Sequence, residues 1–269
     1  MLLGLRQVCS IGDLLFLTPV IHVLRGRGES VKVQLHDDEQ GRSIACLLDG
    51  LAEVEHVPWP EERLYILNKE KIHSAKRALH QLGFYNYSCI PKINLTQEEL
   101  DWGQDYVSQF KNPIIIYRNN SGDLDPINYR AHYVAGPREN MQLMTDYCIS
   151  QGYTVLQFGH TREIVGSGAK SFTPLDGAVH IRNINIRQQA CCLAAVKKII
   201  GIDSGLYHLM LSVGGKAVTS IPDENLTLGY EYWDLLYPES EFEGEVRVKY
   251  VNHRDFLKHK ENILKYLNE

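Results

Sequence analysis

A phosphate-binding turn is predicted where residues 198–202 change from a strand-like to a helical pattern. The segment around this change is rich in small residues and ends in a histidine: Gly201-Ile202-Asp203-Ser204-Gly205-Leu206-Tyr207-His208. Asp203 could cap the helix, and the amides of residues 204–206 would then point outward at its positive end. Such an end binds phosphate, and His208 could donate to a phosphate oxygen. The alternative is an ordinary capped helix with a satisfied histidine.

A carboxylate occupies the first turn of the chain that follows a strand-like run. Ser10-Ile11-Gly12-Asp13 stands there, and four residues later comes Thr18-Pro19. The carboxyl ends of parallel strands face the ligand crevice, so Asp13 could take a proton from an incoming hydroxyl. Ser10 and Gly12 would form a small-residue loop on the side from which that hydroxyl approaches, the acceptor side of the site. The alternative is that Asp13 merely caps the first helix.

Other patterns that could carry chemistry are weaker. Asp123-Leu124-Asp125 spells the DxD with which one class of metal-dependent transferases holds a divalent ion, but the following Pro126 favours a turn. No histidine pair has the helical spacing of a zinc site, and the chain contains neither a Walker loop nor a dinucleotide fingerprint. The six cysteines include no CxxC pair, which predicts reduced thiols.

The elements that must position these residues alternate between strand and helix. In the first part, strands are predicted at 1–9, 30–36 and 54–57, with helices at 14–24, 40–50, 74–82 and 97–110. Thr96-Gln97-Glu98-Glu99 is a capping box that opens the last of these helices.

The alternation continues in the second part. Strands are predicted at 114–117, 152–158, 177–181, 198–202 and 217–221, with helices at 140–150, 186–196, 204–213 and 252–268. This pattern predicts an α/β protein with two doubly wound, Rossmann-like lobes and an interlobe cleft. We place the first lobe at 1–111, the second at 112–250 and a C-terminal helix at 251–269.

Composition excludes several classes of protein. The 269 residues are 44% hydrophobic and 23% charged, as in ordinary globular proteins. The net charge of −5 means that no overall positive electrostatic field attracts nucleic acid. The longest apolar runs fall far short of a bilayer span, and no secretory signal opens the chain. We therefore expect a cytoplasmic protein.

The two turns together resemble a known family. Gly12-Asp13-(4 residues)-Thr18-Pro19 and Asp203-Ser204-Gly205-Leu206-Tyr207-His208, with Gly159-(3 residues)-Glu163 between them, are similar to the signatures of glycosyltransferase family 9, which contains the ADP-heptose lipopolysaccharide heptosyltransferases. The resemblance implies a GT-B fold and inverting sugar transfer from a nucleotide-diphosphate sugar, with no required cofactor or metal. It also implies that the final helix packs back toward the first lobe.

The resemblance assigns roles to individual residues. Asp13 matches the family's candidate base, and Glu163 matches its ribose contact. The donor-diphosphate loop matches Asp203, Ser204, Gly205 and His208.

The sequence also departs from the family. The lysine of a Lys-x-Trp-Pro stretch, which neutralises the leaving diphosphate, is missing, and the comparable region reads His132-Tyr133-Val134-Ala135-Gly136-Pro137. Arg118, Arg130 or Arg138 could supply the charge, and Arg118 is best placed because it follows a predicted strand directly. The turn after the last sheet strand is Ser220 to Asn225 instead of an apolar-Phe-Gly-Pro turn, which leaves base and sugar specificity open.

The expected partners are a nucleotide sugar and a hydroxyl acceptor. ADP-heptose is one candidate donor, and the acceptor is a glycan, a lipid-linked glycan or another hydroxyl compound. A lipid-linked acceptor would bring the protein to the inner face of a membrane, and a local basic groove would still permit a nucleic-acid acceptor. Two alternatives share the fold: a non-catalytic module that binds nucleotide sugars or glycans, and a nucleotide-sugar hydrolase.

Overall fold

The chain folds around two parallel sheets. The computed structural model describes residues 1–4, 11–58, 74–117, 138–158, 174–202, 204–221, 247–252 and 255–269. The alternation of strands and helices predicted from the sequence is confirmed in these ranges.

The first sheet has three parallel strands in the order β1-β2-β3. The strands and the helices around them are β1 (Leu2–Gly4), α1 (Ile11–Gly26), β2 (Lys32–His36), α2 (Glu39–Ile44), a 3-10 turn (Ala45–Leu48), β3 (Glu53–Val57) and α3 (Ser74–Gln81). Leu3 pairs with Val33 and Val33 with Val54, which keeps apolar side chains in register. The helix predicted at 40–50 is divided, because α2 ends at Ile44 and tightens into the 3-10 turn.

Helix α4 (Gln97–Ser108) leads from the first sheet to the second. Its capping box is confirmed, since the Thr96 hydroxyl accepts from the Glu99 amide and the Glu99 carboxylate accepts from the Thr96 amide.

The second sheet has six parallel strands in the order β6-β5-β4-β7-β8-β9. In chain order the elements are β4 (Pro113–Tyr117), α5 (Arg138–Ser150), β5 (Thr154–Phe158), β6 (Val179–Ile181), α6 (Ile186–Val196), β7 (Lys198–Ile202), α7 (Gly205–Ser212), β8 (Lys216–Ile221), β9 (Val248–Asn252), a 3-10 turn (Leu257–His259) and α8 (Lys260–Asn268). This is the doubly wound strand order, and the direction of winding reverses between β4 and β7. Ligands of such sheets bind at the carboxyl ends of the two strands at this switch point.

Both faces of the second sheet are buried, which explains its continuous apolar strands. Ile115 and Ile199 face a core that also contains α1, α6, α7 and the first sheet. Ile114, Ile116 and Ile200 face a second core formed with α5 and α8. The first of these cores is continuous from one sheet to the other, so α1 and α7 are packed directly against each other.

The C-terminal region differs from the sequence prediction. Residues 248–252 form a sixth strand paired with β8, and the last helix starts at Lys260 instead of residue 252. The resemblance implied that this helix packs toward the first lobe. Ile263, Leu264 and Leu267 are buried in the second core, together with Val218 of the second sheet, and packing of this helix toward the first lobe stays a prediction.

A close contact joins α4 to α6. A Cβ on Gly103 would lie 2.4 Å from the carbonyl oxygen of Cys191, so only glycine permits this approach of the two helices.

Arg187, at the start of α6, binds three segments of the chain. Its guanidinium forms two hydrogen bonds with Glu99 and donates to the carbonyl oxygens of Cys46 (2.8 Å) and Asn94 (2.6 Å). Arg187 thereby ties the second sheet to the first sheet and to the connecting segment.

No helix in the described ranges is long and apolar enough to cross a membrane.

Candidate functional site

Helix α7 begins at the switch point of the second sheet. Strand β7 ends at Ile202, Ser204 is the N-cap, and the helix starts at Gly205. The cap was predicted at Asp203, so it falls one residue later; Asp203 itself lies outside the described residues. The Ser204 side chain accepts no capping hydrogen bond. Its hydroxyl oxygen is buried and has no partner among the described residues, so it could bind an oxygen of a ligand.

The N-terminus of α1 meets the N-terminus of α7. A Cβ on Gly205 would lie 2.6 Å from the Cβ of Ile11 and 3.4 Å from the backbone nitrogen of Gly12. Glycine is needed at position 205 because any side chain would push the two helices apart. The positive ends of two helix dipoles therefore come together at one place, which favours a bound anion. This junction, formed by Ile11, Gly12, Ser204 and Gly205, contains described residues from both turns singled out in the sequence.

Asp13 lies beside the junction. It occupies the first turn of α1, two residues after Ile11, and its side chain is partly exposed. The helix starts at Ile11, so Asp13 is inside the first turn and is not the N-cap residue. A carboxylate in this position complements the two positive helix ends and could accept a proton from a ligand hydroxyl.

His208 lies one turn into α7, below the junction. Its side chain is only 6% exposed, and its ring packs edge-to-face on Phe16 of α1, with 5.0 Å between the ring centroids and an angle of 74°. The contact helps to fix α1 against α7. Hydrogen bonding from His208 to a phosphate stays a prediction. Phe16 was not found by sequence reasoning, because nothing in the sequence indicates which residue a buried aromatic side chain on a helix contacts.

The described residues of the predicted site lie at this junction or within about one helical turn of it: Gly12, Asp13, Ser204, Gly205, Leu206 and His208. Gly12 and Leu206 are buried there, so Leu206 could contribute only its backbone amide to a ligand. Four other predicted site residues lie outside the described residues: Ser10, Arg118, Glu163 and Asp203. Asp123 and Asp125 of the DxD pattern also lie outside them.

The end of β4 borders the junction from the other side of the switch point. Tyr117, its last residue, pairs with Gly201 of β7. A Cβ on Gly201 would lie 2.7 Å from the Tyr117 carbonyl oxygen, so glycine permits the close approach of the two strands. Arg118 is the next residue after Tyr117 in the sequence.

A metal centre has no basis in the described part of the chain. No group of three or more histidine, cysteine, aspartate or glutamate side chains there could hold an ion. The described cysteines are unlinked thiols. Burial raises the pKa of the Cys148 and Cys192 thiols to about 12, which makes both poor nucleophiles.

Comparison with known proteins gives a match in structure and none in sequence. No family model matches the sequence, and no curated protein matches it either. The ADP-heptose LPS heptosyltransferase II of E. coli is similar in structure, with a TM-score of 0.63 at 12% identity over 99% of this chain and 97% of that one. A glycosyl transferase family 9 protein from Veillonella parvula DSM 2008 matches with a TM-score of 0.58 at 13% identity, over 98% and 88% of the two chains.

A third similar structure carries a bound nucleotide. The E. coli heptosyltransferase WaaC with ADP has a TM-score of 0.51 at 11% identity, over 99% of this chain and 98% of that one. These matches extend over the whole chain, so the protein has the GT-B type of fold seen in these heptosyltransferases. The resemblance drawn from the sequence motifs is thereby confirmed at the level of the fold.

Proposed function

We propose that the protein is a glycosyltransferase that moves a sugar from a nucleotide-diphosphate sugar to a hydroxyl acceptor, with inversion and without a metal ion. The observation that carries this proposal is the convergence of two helix N-termini, with Asp13 beside them, at the switch point of a GT-B type fold. The described residues of these two sequence motifs lie where such sheets bind ligands, which supports the proposal.

The donor would lie on the second sheet, within residues 112–250. Its diphosphate would accept hydrogen bonds from the amides of residues 204–206 and from the Ser204 hydroxyl, whose oxygen has no other partner among the described residues. Arg118 and His208 would add positive charge or donors at the phosphates, and Glu163 would bind the ribose. ADP-heptose is the first donor to test, because two of the similar structures are named for an ADP-heptose enzyme and for a complex with ADP.

The acceptor would approach from residues 1–111. Asp13 would take the proton of the acceptor hydroxyl as its oxygen attacks the anomeric carbon from the face opposite the diphosphate. The new carbon–oxygen bond forms while the bond to the diphosphate oxygen breaks, and the bonding electrons leave with the nucleoside diphosphate. Attack from the opposite face inverts the anomeric configuration.

Positive charge for the leaving diphosphate would come from the protein. Two helix ends and an arginine would stabilise the departing charge in place of the lysine that the family usually carries. We therefore propose a reaction that needs no divalent cation. The protein would act in the cytoplasm, and a lipid-linked acceptor would bring it to the inner face of a membrane.

The missing lysine supports a second candidate, a non-catalytic module that binds the nucleotide sugar. A hydrolase, in which water replaces the acceptor, uses the same site. Incubation with ADP-heptose and heptose-free lipopolysaccharide in the presence of EDTA separates the three by mass spectrometry. We expect a heptosylated acceptor. Free heptose would identify a hydrolase, and bound but unchanged donor would identify the module; either result contradicts the proposal for this donor.

A further inference from the structure

Helix α1 contains a hydrogen-bond bridge at Thr18-Pro19. Proline has no amide hydrogen, so the carbonyl oxygen of Leu15, four residues earlier, loses its ordinary helical donor. The Thr18 hydroxyl donates to this oxygen instead, at 2.8 Å, and accepts from the amide of Lys92 at 2.9 Å. Thr18 is fully buried, so water cannot replace either bond.

The same helix holds Lys92 from its other side. His22, one turn after Thr18, lies with its Nε2 3.0 Å from the Lys92 carbonyl oxygen, so this nitrogen carries the proton and donates. Both backbone groups of Lys92 are therefore bound by α1. The side chains of Thr18 and His22 form a clamp on the extended segment that passes beside the helix before α4.

We propose that Thr18 and Pro19 are positioning residues that set the first turn of α1, and with it Asp13, against α7. The inference rests on the proposed function, in which Asp13 is the base. Pro19 removes the backbone hydrogen bond that would otherwise hold this part of α1 to the Leu15 carbonyl, and the Thr18 hydroxyl takes the place of that bond. The part of α1 before this point carries Asp13, touches Gly205 through Ile11 and packs on His208 through Phe16.

The clamp thus connects the first turns of α1, which carry Asp13, the point in the helix where Pro19 removes a backbone hydrogen bond, and the segment at Lys92. A reacting group displaced by about 1 Å can lose about a hundredfold in rate. The buried Thr18 hydroxyl is hydrogen-bonded to two backbone groups, so Thr18 would affect the reaction only through the position of Asp13.

The first test removes the hydroxyl and keeps the shape of the side chain. Thr18→Val leaves the Leu15 carbonyl and the Lys92 amide without their partner. We expect turnover to fall about 10- to 100-fold, while the KM for the donor changes less than about threefold. Thr18→Ser keeps the hydroxyl and should restore most of the turnover. A Thr18→Val enzyme with wild-type turnover, whatever its melting temperature, would overturn the proposal.

The second test separates positioning from stability. Pro19→Ala returns an amide hydrogen to the Leu15 carbonyl, so the melting temperature should be unchanged or higher. Turnover should nevertheless fall, because a backbone hydrogen bond from residue 19 to the Leu15 carbonyl changes the local helix geometry and moves the first turn of α1 relative to α7. If Pro19 contributed only to stability, turnover would change in the same direction as the melting temperature and would not fall. Wild-type or higher turnover in Pro19→Ala would therefore refute the positioning role.

Hydrogen exchange gives a readout that does not depend on sugar transfer. Thr18→Val should accelerate amide exchange in the peptides that cover residues 11–17 and 89–95, and Thr18→Ser should not. Unchanged exchange in both peptides would eliminate the clamp. Failure of the proposed function is recognised separately, since the wild-type protein would then transfer no sugar while the exchange result still decides whether the clamp exists.

Discussion

Replacing Asp13 by asparagine should lower turnover by about 10²- to 10⁴-fold, the range typical for loss of a general base. Asparagine keeps the size of the side chain and a polar group in the first turn of α1, but it cannot accept the acceptor's proton. The affinity for the nucleoside diphosphate should change little, because the donor's phosphates would bind to the amides and hydroxyl at the start of α7. Steady-state kinetics and calorimetric nucleotide binding measure the two quantities.

A matched control is available in the same chain. Glu98 is another carboxylate in the first turn of a helix, α4; its side chain is exposed, and it is not part of the proposed site. Glu98→Gln should leave turnover unchanged, which separates the chemistry of Asp13 from any general effect of removing a first-turn carboxylate. Wild-type turnover in Asp13→Asn would remove Asp13 from the role of base.

The largest effect on stability is expected at Arg187. Arg187→Ala should lower the free energy of unfolding by about 3 kcal/mol, because it leaves Glu99 and two carbonyl oxygens without their buried donor. Arg187→Lys keeps the positive charge but loses the planar set of N–H donors. Its free energy of unfolding should therefore lie between those of wild type and Arg187→Ala. Equilibrium denaturation in urea measures all three. A loss below about 0.5 kcal/mol in the alanine variant would contradict the role of Arg187 as a tie between the sheets.

The same contact predicts a dependence on pH. Hydrogen bonds from Arg187 hold the pKa of the Glu99 carboxyl below its ordinary value of 4.5. This contribution to stability is therefore complete above about pH 4.5 and is lost as the pH falls through the lower pKa of the folded state. Wild type should lose stability more steeply than Arg187→Ala over this acid range, and parallel curves would argue against the assignment.

Much of the second sheet could be predicted from the sequence. The strand at 198–202 and the helix at 186–196 have the predicted bounds, because a short apolar run and a helical period are clear signals when capping residues or turns flank them. The two turns of the proposed site could also be singled out, since small residues next to a carboxylate or a histidine mark positions where packing is not the only constraint.

Contacts between distant parts of the chain could not be predicted. Gly103 in α4 and Gly205 in α7 are single glycines in sequence, and only the structure reveals that each permits two helices to touch. The edge strand at 248–252 is not among the elements predicted from the sequence, in which the last helix starts at residue 252. The Thr18 to Lys92 bond joins residues 74 positions apart, and no local pattern encodes such a pair.

The proposed function requires that a nucleoside diphosphate bind at the junction of α1 and α7. Titration calorimetry with ADP, UDP, GDP, CDP and dTDP, each in EDTA, measures this binding. We expect one nucleotide to bind without metal, and Ser204→Ala to weaken that binding about 10-fold because a hydrogen bond to a charged phosphate is lost. If none of the five nucleotides binds at millimolar concentration, or if the Ser204→Ala variant binds as tightly as wild type, the proposed nucleotide site at the start of α7 is wrong.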